Sequence, residues 1–350
     1  MEPCASPTRI ATLMTMRHHF FTALPFAASM VWLACSSDPA TTSSSGGGTS
    51  SSGGSSGTTV SGDETWDSSK EIKGKVTVAE GATVTIKSGS TLKCAAGAEI
   101  FVKGTLKVSA TSNHAKITCA TWKGLAVANS GKLDVDGLDL ENPDTGVRME
   151  SGNAKTEATF KNGSITGTAT PFLVGENAKL NILKSKIQAT GPSNVYGDIY
   201  LSYVDYDKGA AEGIIMDSAN GSIVIEDSTL RGNGFTGEFV QSSKGKFVKV
   251  IYTTISDAHC ALHFDSVESF EVDHITASKQ VFGAMLYGST KGGTLSNSNF
   301  SGVEQDIDVQ GSNGTLSFDG IYAPKRDIRD TQPTEKNKAT AEVPNAKPRP

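Results

Sequence analysis

Apolar and polar residues alternate along most of the chain. Between residues 76 and 108, pairs such as Val76 and Val78, or Val84 and Ile86, lie two positions apart, which is the period of a β-strand with one buried face. No segment keeps a helical period. Turn glycines recur seven or eight residues apart, at Gly74, Gly81, Gly89, Gly97 and Gly104. The pattern therefore predicts an all-β fold of short strands separated by tight turns.

A longer repeat lies over this alternation. A six-residue frame, apolar at both ends and with a small residue in fourth place, occurs nine times, and the frames are 17 to 27 residues apart. Their last positions are Leu138, Ile165, Ile187, Val204, Leu230, Ile255, Ile275, Phe300 and Ile321. The small residues two positions earlier are Asp136, Gly163, Ser185, Ser202, Ser228, Thr253, Asp273, Ser298 and Asp319. Stacked turns with a tight bend at one place explain this choice of residues.

A repeat of about 23 residues with three short strands per turn resembles the right-handed parallel β-helix, the pectin-lyase-like fold of pectate lyases and many bacterial surface proteins. The resemblance covers residues 71–324 and implies a solenoid of roughly eleven coils, in which each coil buries its apolar residues against its neighbours. Leucine-rich repeats fit less well because there is no helical half-repeat. A β-sandwich, the alternative fold, does not hold one period over so long a stretch.

The first 34 residues have the features of an export signal. Arg17 precedes the apolar stretch 20–34, which is too short to span a membrane comfortably. The run ends in Ala34-Cys35 and resembles the lipobox of bacterial lipoproteins, which implies that Cys35 is acylated after residues 1–34 are removed. An ordinary signal peptide followed by an incidental cysteine is the alternative. Ser36 in place of an aspartate implies, by the same resemblance, sorting to the outer membrane of a Gram-negative cell.

The segments that flank the repeat are poor in apolar residues. Residues 35–70 begin with a tract made almost wholly of Ser, Gly and Thr, which predicts a flexible tether between the lipid and the repeat. Residues 325–350 are rich in Lys, Pro and Asp, which predicts a disordered tail.

Composition narrows the function classes. The chain has 350 residues, a net charge of −5 and no apolar run of membrane-spanning length after residue 34. An acidic chain without a basic field is not typical of a nucleic-acid binder. The expected partners are instead the membrane, through the lipid, and a polysaccharide or a surface protein.

Two cysteines are spaced by about one coil. Cys94 and Cys119 are 25 residues apart, and each follows an apolar residue by two positions, Leu92 and Ile117. Both are expected to point inward from neighbouring strands, close enough for a disulfide in an oxidising compartment. Two stacked free thiols are the alternative.

Several polar clusters invite a metal-site interpretation. His259 and His263 face outward in strict alternation but about 13 Å apart, too far for one ion. Asp273 before His274 resembles an element of pectate lyases, yet it falls in the turn column and needs only a structural explanation. Glu304, Asp306 and Asp308 would hold Ca²⁺ only if a neighbouring coil supplied more oxygens. No cofactor, metal or catalytic residue is therefore predicted.

Aromatic residues give the best candidate contact with a ligand. Tyr196, Tyr200, Tyr203 and Tyr206 cluster in the sequence and mix with aspartates, as expected of a surface that contacts glycans. Residues 70–324 hold only two arginines, although a lyase acting on uronates needs cations beside the substrate carboxylate. We therefore expect a non-catalytic surface protein that binds a glycan or a protein; the alternative is a polysaccharide lyase or glycoside hydrolase.

Overall fold

The structure is a computed structural model that describes residues 57–288, 291–311, 314–330 and 332–350. These residues form strands and turns, with no helix among them. The strands in chain order are β1 (Thr58–Val60), β2 (Glu64–Trp66), β3 (Glu71–Ile72), β4 (Lys75–Val78), β5 (Thr83–Ile86), β6 (Thr91–Cys94), β7 (Glu99–Val102), β8 (Thr105–Ser109), β9 (Ala115–Val127), β10 (Lys132–Asp136), β11 (Leu138–Met149), β12 (Thr156–Lys161), β13 (Ser164–Thr168), β14 (Thr170–Val174), β15 (Ala178–Leu183), β16 (Lys186–Ala189), β17 (Ser193–Val195), β18 (Asp198–Ser202), β19 (Asp205–Asp207), β20 (Ile214–Met216), β21 (Ser222–Glu226), β22 (Thr229–Arg231), β23 (Glu238–Ser242), β24 (Phe247–Ile251), β25 (Thr254–Asp265), β26 (Ser269–Asp273), β27 (Thr276–Tyr287), β28 (Gly292–Ser296), β29 (Asn299–Gln310), β30 (Thr315–Asp319), β31 (Arg326–Ile328) and β32 (Thr334–Lys336).

All of the strand pairing is parallel, and it joins each strand to its equivalent one coil later. Thirteen strands form what we call the small sheet, and nineteen form the large sheet. The small sheet consists of β2, β5, β8, β10, β12, β15, β18, β21, β24, β26, β28, β30 and β32. Most coils give one strand to the small sheet and two strands, or one long strand such as β25, to the large sheet. The chain is thus a parallel β-solenoid of about 11 turns, as the repeat predicts.

The solenoid extends beyond residues 71–324 at both ends. β1 and β2 lie within the stretch where we expected a tether, and they pair with β4 and β5 because Val60 and Trp66 are buried. After residue 324, where we expected a disordered tail, β31 and β32 continue the two sheets. Arg326 anchors this last coil through backbone carbonyls, since its side chain donates to Ile321 and Ala323.

The core is a column of stacked apolar side chains between the sheets. All nine apolar positions that end the predicted frames are buried, and so are the inward residues of the small sheet, such as Ile199, Ile223 and Val248. Outward positions of the same strands are mostly polar. The alternation along each strand therefore determines which side chains point into the core, and the repeat places an equivalent apolar side chain in the coils on either side.

A ladder of left-handed residues turns the chain from the small sheet into the large one. From β10 onward, the residue directly after each strand of the small sheet has a positive φ, between 45° and 88°. This corner ladder consists of Gly137, Asn162, Lys184, Tyr203, Asp227, Tyr252, His274, Asn297, Gly320 and Asn337. Asparagine and glycine adopt this conformation at low cost, whereas the tyrosines and the lysine are held there by the stacking of coils.

Four residues with buried hydroxyl groups each come directly after a residue of the corner ladder. Each of the four donates to the backbone carbonyl two positions earlier, at 2.5–2.8 Å. Each also accepts a backbone N–H from the preceding coil, at 3.1–3.5 Å. These residues are Ser185, Ser228, Thr253 and Ser298. Backbone groups at the corner are thereby paired inside the protein, as buried polar groups require.

The predicted turn column is wrong at four of its nine positions. Asp136, Ser202, Asp273 and Asp319 lie two residues earlier, in the last outward column of the small sheet. The frame slips because two successive inward positions are apolar in these coils. Val204 and Tyr206 are both buried, for example, and Tyr206 is the one in register with Ile187.

Cys94 and Cys119 lie in neighbouring coils of the large sheet and form a disulfide, with their Cα atoms 5.2 Å apart. The register explains the pairing, because Leu92 is opposite Ile117 two residue pairs earlier. Cys260 is a buried free thiol.

Candidate functional site

The outer face of the small sheet carries a groove across four consecutive coils. It lies over β15, β18, β21 and β24, and its cavity volume is about 440 Å³. Its lining includes Lys155, Lys179, Asp198, Tyr200, Val224 and Phe247. A smaller cavity of about 110 Å³ shares Lys155 and Asp198 with it and extends the groove toward Asn220. Since neighbouring strands are about 4.8 Å apart, four strands span about 14 Å.

Register places the groove's aromatic and apolar side chains beside one another. Tyr200 on β18 is directly opposite Val224 on β21. Phe247, at the start of β24, is opposite Ser222, at the start of β21. All four point outward because the intervening residues, such as Ile199 and Ile223, fill the core. The floor of the groove is therefore half-apolar on a face that is otherwise polar.

Charged and polar groups frame this floor in paired form. The Tyr200 hydroxyl donates to Glu226 at 3.0 Å, and Lys179 contacts Glu157 at 3.0 Å. Lys155 lies 3.8 Å from Asp198. Burial and, secondarily, Glu226 raise the pKa of Tyr200 above its usual value. The groove thus offers aromatic faces and hydrogen-bonding groups; both of its lysines are paired with carboxylates, and the Glu226 carboxylate accepts the hydrogen bond of a neutral phenol.

The four tyrosines predicted to form one patch are separated by the fold. Tyr200 lies in the groove, Tyr196 is 41% exposed in the turn before β18, and Tyr203 belongs to the corner ladder. Tyr206 contradicts the prediction, because it is 0% exposed and its hydroxyl lies 2.9 Å from that of Ser193 inside the core. The corner at Tyr203 interrupts the alternation over residues 200–206. After this corner the inward and outward positions are shifted, so Tyr206 points into the core.

A second polar cluster lies on the outer face of the large sheet. The Nδ1 atoms of His259 and His263 are 3.5 and 3.3 Å from the same oxygen of Glu238. The predicted separation of about 13 Å is therefore wrong for their rings. β25 bends at Asp257, where φ is 58°, and Cys260 to Leu262 are buried in succession, so the two imidazoles converge.

The electrostatics of this cluster keep its carboxylate ionised. Burial alone would raise the pKa of Glu238, but His263 and His259 outweigh it and hold that pKa below its usual value. Glu238 Oε2 is buried and has no hydrogen-bond partner among the residues that the structure describes. Beside the pair, the ring of Tyr287 contacts His263 edge-on, and its hydroxyl donates to Asp308 at 2.6 Å. Tyr287 also lines a cavity of about 510 Å³ together with Asp265 and Asp330.

The acidic strand face considered for Ca²⁺ is divided by the structure. Asp306 is 1% exposed and accepts the backbone N–H groups of Gly302 and Lys325, whereas Glu304 is exposed. Asp308 is engaged by Tyr287. Asp306 therefore holds a turn, while Glu304 and Asp308 have other surroundings. Across the described ranges, no group of three or more His, Cys, Asp or Glu side chains is arranged to hold a metal ion.

Asp273 makes only structural contacts. It accepts hydrogen bonds from Ser296 and Asn297 on the next coil and from His274, which together hold its pKa below the ordinary value despite burial. His274 is itself stacked on Tyr252 at 4.7 Å between ring centroids.

Comparison with known proteins adds no assignment: no family model, curated protein or solved structure matches the chain. The predicted export signal, Cys35 and the Ser/Gly tract up to residue 56 lie outside the described residues. Within the described part of the chain there is no helix long and apolar enough to cross a membrane.

Proposed function

We propose that the protein is a lipid-anchored, pectin-lyase-like surface β-solenoid that binds a neutral polysaccharide in the groove over β15, β18, β21 and β24. The observation that carries the proposal is the half-apolar floor formed by Tyr200, Val224 and Phe247 within a frame of hydrogen-bonding groups. Ligand sites typically combine apolar or aromatic surface with a few placed polar groups. Aromatic rings suit the apolar faces of sugars, and the polar frame suits their hydroxyls.

The charges of the groove favour a neutral chain over a polyanion. Lys155 and Lys179 each have a carboxylate partner, so a uronate would compete with Asp198 and Glu157. A neutral sugar chain, in contrast, does not have to break these ion pairs to bind. Binding should consequently change little between low and physiological salt, because screening acts mainly on unpaired exposed charges.

Binding to a panel of neutral and acidic polysaccharides, by affinity electrophoresis and calorimetry, tests the proposal. Replacing Tyr200 by Ala should weaken binding of a neutral ligand about tenfold, as expected for loss of a central aromatic contact. Tyr200→Phe separates the ring from the hydroxyl. Phe235→Ala is the matched control, because Phe235 is 45% exposed in a loop joining two strands of the large sheet. A chain that binds no polysaccharide, or a Tyr200→Ala variant that binds as the wild type does, would refute the site.

A polysaccharide hydrolase is the second candidate, and one observation favours it. Among the described residues, one oxygen of Glu238 has no hydrogen-bond partner and the other lies beside two imidazoles, and carboxylates with tuned neighbours are the acid–base groups of glycosidases. A reducing-sugar assay separates the two functions. Turnover that disappears in Glu238→Gln would establish the enzyme, whereas binding without turnover supports the first proposal.

We further propose that Cys35 carries the anchor and that the protein resides at the outer membrane. The support is the sequence alone: a cationic, short apolar segment ending in Ala34-Cys35, followed by a flexible Ser/Gly tract. Acyl chains on one cysteine bury methylenes at about 0.8 kcal/mol each, which makes attachment stable with two or more chains. Cys35→Ser should therefore move the protein from the membrane fraction to the soluble one or leave it unprocessed. Membrane association of Cys35→Ser at high salt would contradict the anchor.

A further inference from the structure

The C-terminal segment 343–349 lies against the corner of the solenoid. Asn299 receives the N–H of Val343 on its side-chain oxygen at 2.7 Å and donates its amide nitrogen to the Val343 carbonyl at 3.0 Å. Thr276, one coil earlier, donates to the carbonyl of Ala346, which is 3% exposed. These side chains of the solenoid bind backbone groups of the segment, and they come from two successive coils.

An arginine ends the contact two coils further along. The Arg349 side chain donates Nε to one oxygen of Asp227 at 2.7 Å and Nη2 to the other at 2.6 Å. Its backbone N–H donates to Asp227 at 3.1 Å, and the guanidinium carbon lies 4.2 Å from the centre of the Tyr252 ring. A planar guanidinium with a bidentate carboxylate below it and an aromatic face beside it is the geometry that distinguishes arginine from lysine.

The receiving side belongs to the solenoid, and the segment does not. Asp227 and Tyr252 are consecutive members of the corner ladder, held by stacked coils. With the segment in place, the Asp227 side chain is 2% exposed. Within the part of the chain that the structure describes, Arg349 alone donates hydrogen bonds to its two oxygens. Segment 343–349 contributes no strand, and its buried residue is Ala346. An acid on the solenoid that a peripheral segment both covers and hydrogen-bonds is the feature of a ligand site filled in cis.

We propose that this corner is a binding site for an extended, arginine-bearing peptide of another protein, and that residues 343–349 occupy it in cis as an exchangeable ligand. Pro348 and Pro350 flank Arg349 and favour extended backbone around it, which defines the partner's chemistry as an arginine beside proline. The site lies on a different face from the glycan groove and does not depend on it.

A labelled synthetic peptide of residues 341–350 tests the site by fluorescence anisotropy on the full chain. In the wild type the tethered segment competes at high effective concentration. Arg349→Ala in the protein should release the corner, so that the peptide binds this variant roughly tenfold more tightly than the wild type. Adding Asp227→Asn should abolish binding, and asparagine keeps both the size and the preference for a left-handed backbone.

Controls separate recognition from folding. Asp205→Asn removes an acid that pairs with Arg231 elsewhere and should leave peptide binding unchanged. A peptide in which alanine replaces Arg349 should not bind the Arg349→Ala protein. This control changes only the peptide, so it cannot disturb the folding of the protein. Equal affinity for wild type and Arg349→Ala, or binding that survives either Asp227→Asn or loss of the peptide's arginine, would overturn the proposal.

Discussion

Replacement of Ser228 measures what the hydroxyl column contributes to the solenoid. Ser228 is 1% exposed; its Oγ donates to the Glu226 carbonyl at 2.7 Å and accepts the Val204 N–H at 3.1 Å. Ser228→Ala leaves that buried N–H without its acceptor, which costs about 1–3 kcal/mol of unfolding free energy. Ser228→Leu adds overpacking at the same corner, a further ~1–3 kcal/mol.

Equilibrium urea unfolding followed by circular dichroism gives the free energy, after a single cooperative transition has been established for the wild type. Thr229→Ala is the control, because Thr229 is the next residue, points outward and makes no side-chain hydrogen bond among the described residues. That variant should stay within about 0.5 kcal/mol of the wild type. Ser228→Ala and Thr229→Ala with the same unfolding curve would refute the idea that the hydroxyl column pairs the corner backbone.

Three further predictions follow from single contacts. Cys94 and Cys119 should both resist alkylation without reductant, and Cys94→Ala with Cys119→Ala should cost about 3 kcal/mol of stability; alkylation of both thiols in unreduced protein would contradict the bond. Gly124→Ala should unfold or strongly destabilise the chain, since an added Cβ would lie 1.6 Å from a backbone oxygen of the adjacent strand, whereas Gly81→Ala meets open space and should cost only ~1–2 kcal/mol of backbone strain; similar melting curves for both would contradict the strand spacing. Hydrogen bonds from the C-terminal segment hold the pKa of Asp227 below its usual value, so this contact stabilises above about pH 4 and is lost as pH falls through the lowered folded pKa; an exchange protection factor of the Arg349 amide that stays constant down to about pH 2, after correction for the intrinsic exchange rate, would contradict the ion pair.

Period and burial could be predicted from the sequence because they repeat. An inward residue such as Ile165 has an equivalent in every coil, and nine observations of one frame average out local exceptions. The exact register could not be predicted where Val204 and Tyr206 offer two apolar positions two residues apart. Either one satisfies the core, and only the neighbouring coils decide between them.

The polar sites were harder to predict because they depend on bends and on neighbouring coils. His259 and His263 meet at Glu238 only because β25 bends at Asp257, and strict alternation contains no signal for that bend. Conversely, the groove combines Tyr200 with Phe247, which are 47 residues apart in sequence and two coils apart in space. Asn, Gly or Asp follows six of the ten small-sheet strands from β10 onward, which was a usable signal for the corner ladder.

The C-terminal segment escaped prediction for an energetic reason. Composition reports how much apolar surface a segment is able to bury, and 343–349 buries only Ala346. Its position depends instead on polar contacts with Asn299 and Asp227. These two residues are 44 and 122 positions away in the chain from the segment residues that they contact.

Hydroxyl-radical footprinting with a bound neutral oligosaccharide tests directly whether the groove binds a glycan. Oxidation reports the exposure of individual aromatic side chains, and the chain offers internal controls on other faces. We expect slower oxidation of Tyr200 and Phe247 in the complex, with Tyr203 and Phe235 unchanged. Protection confined to Tyr287 beside Glu238, or no protection of Tyr200 at saturating ligand, would contradict it.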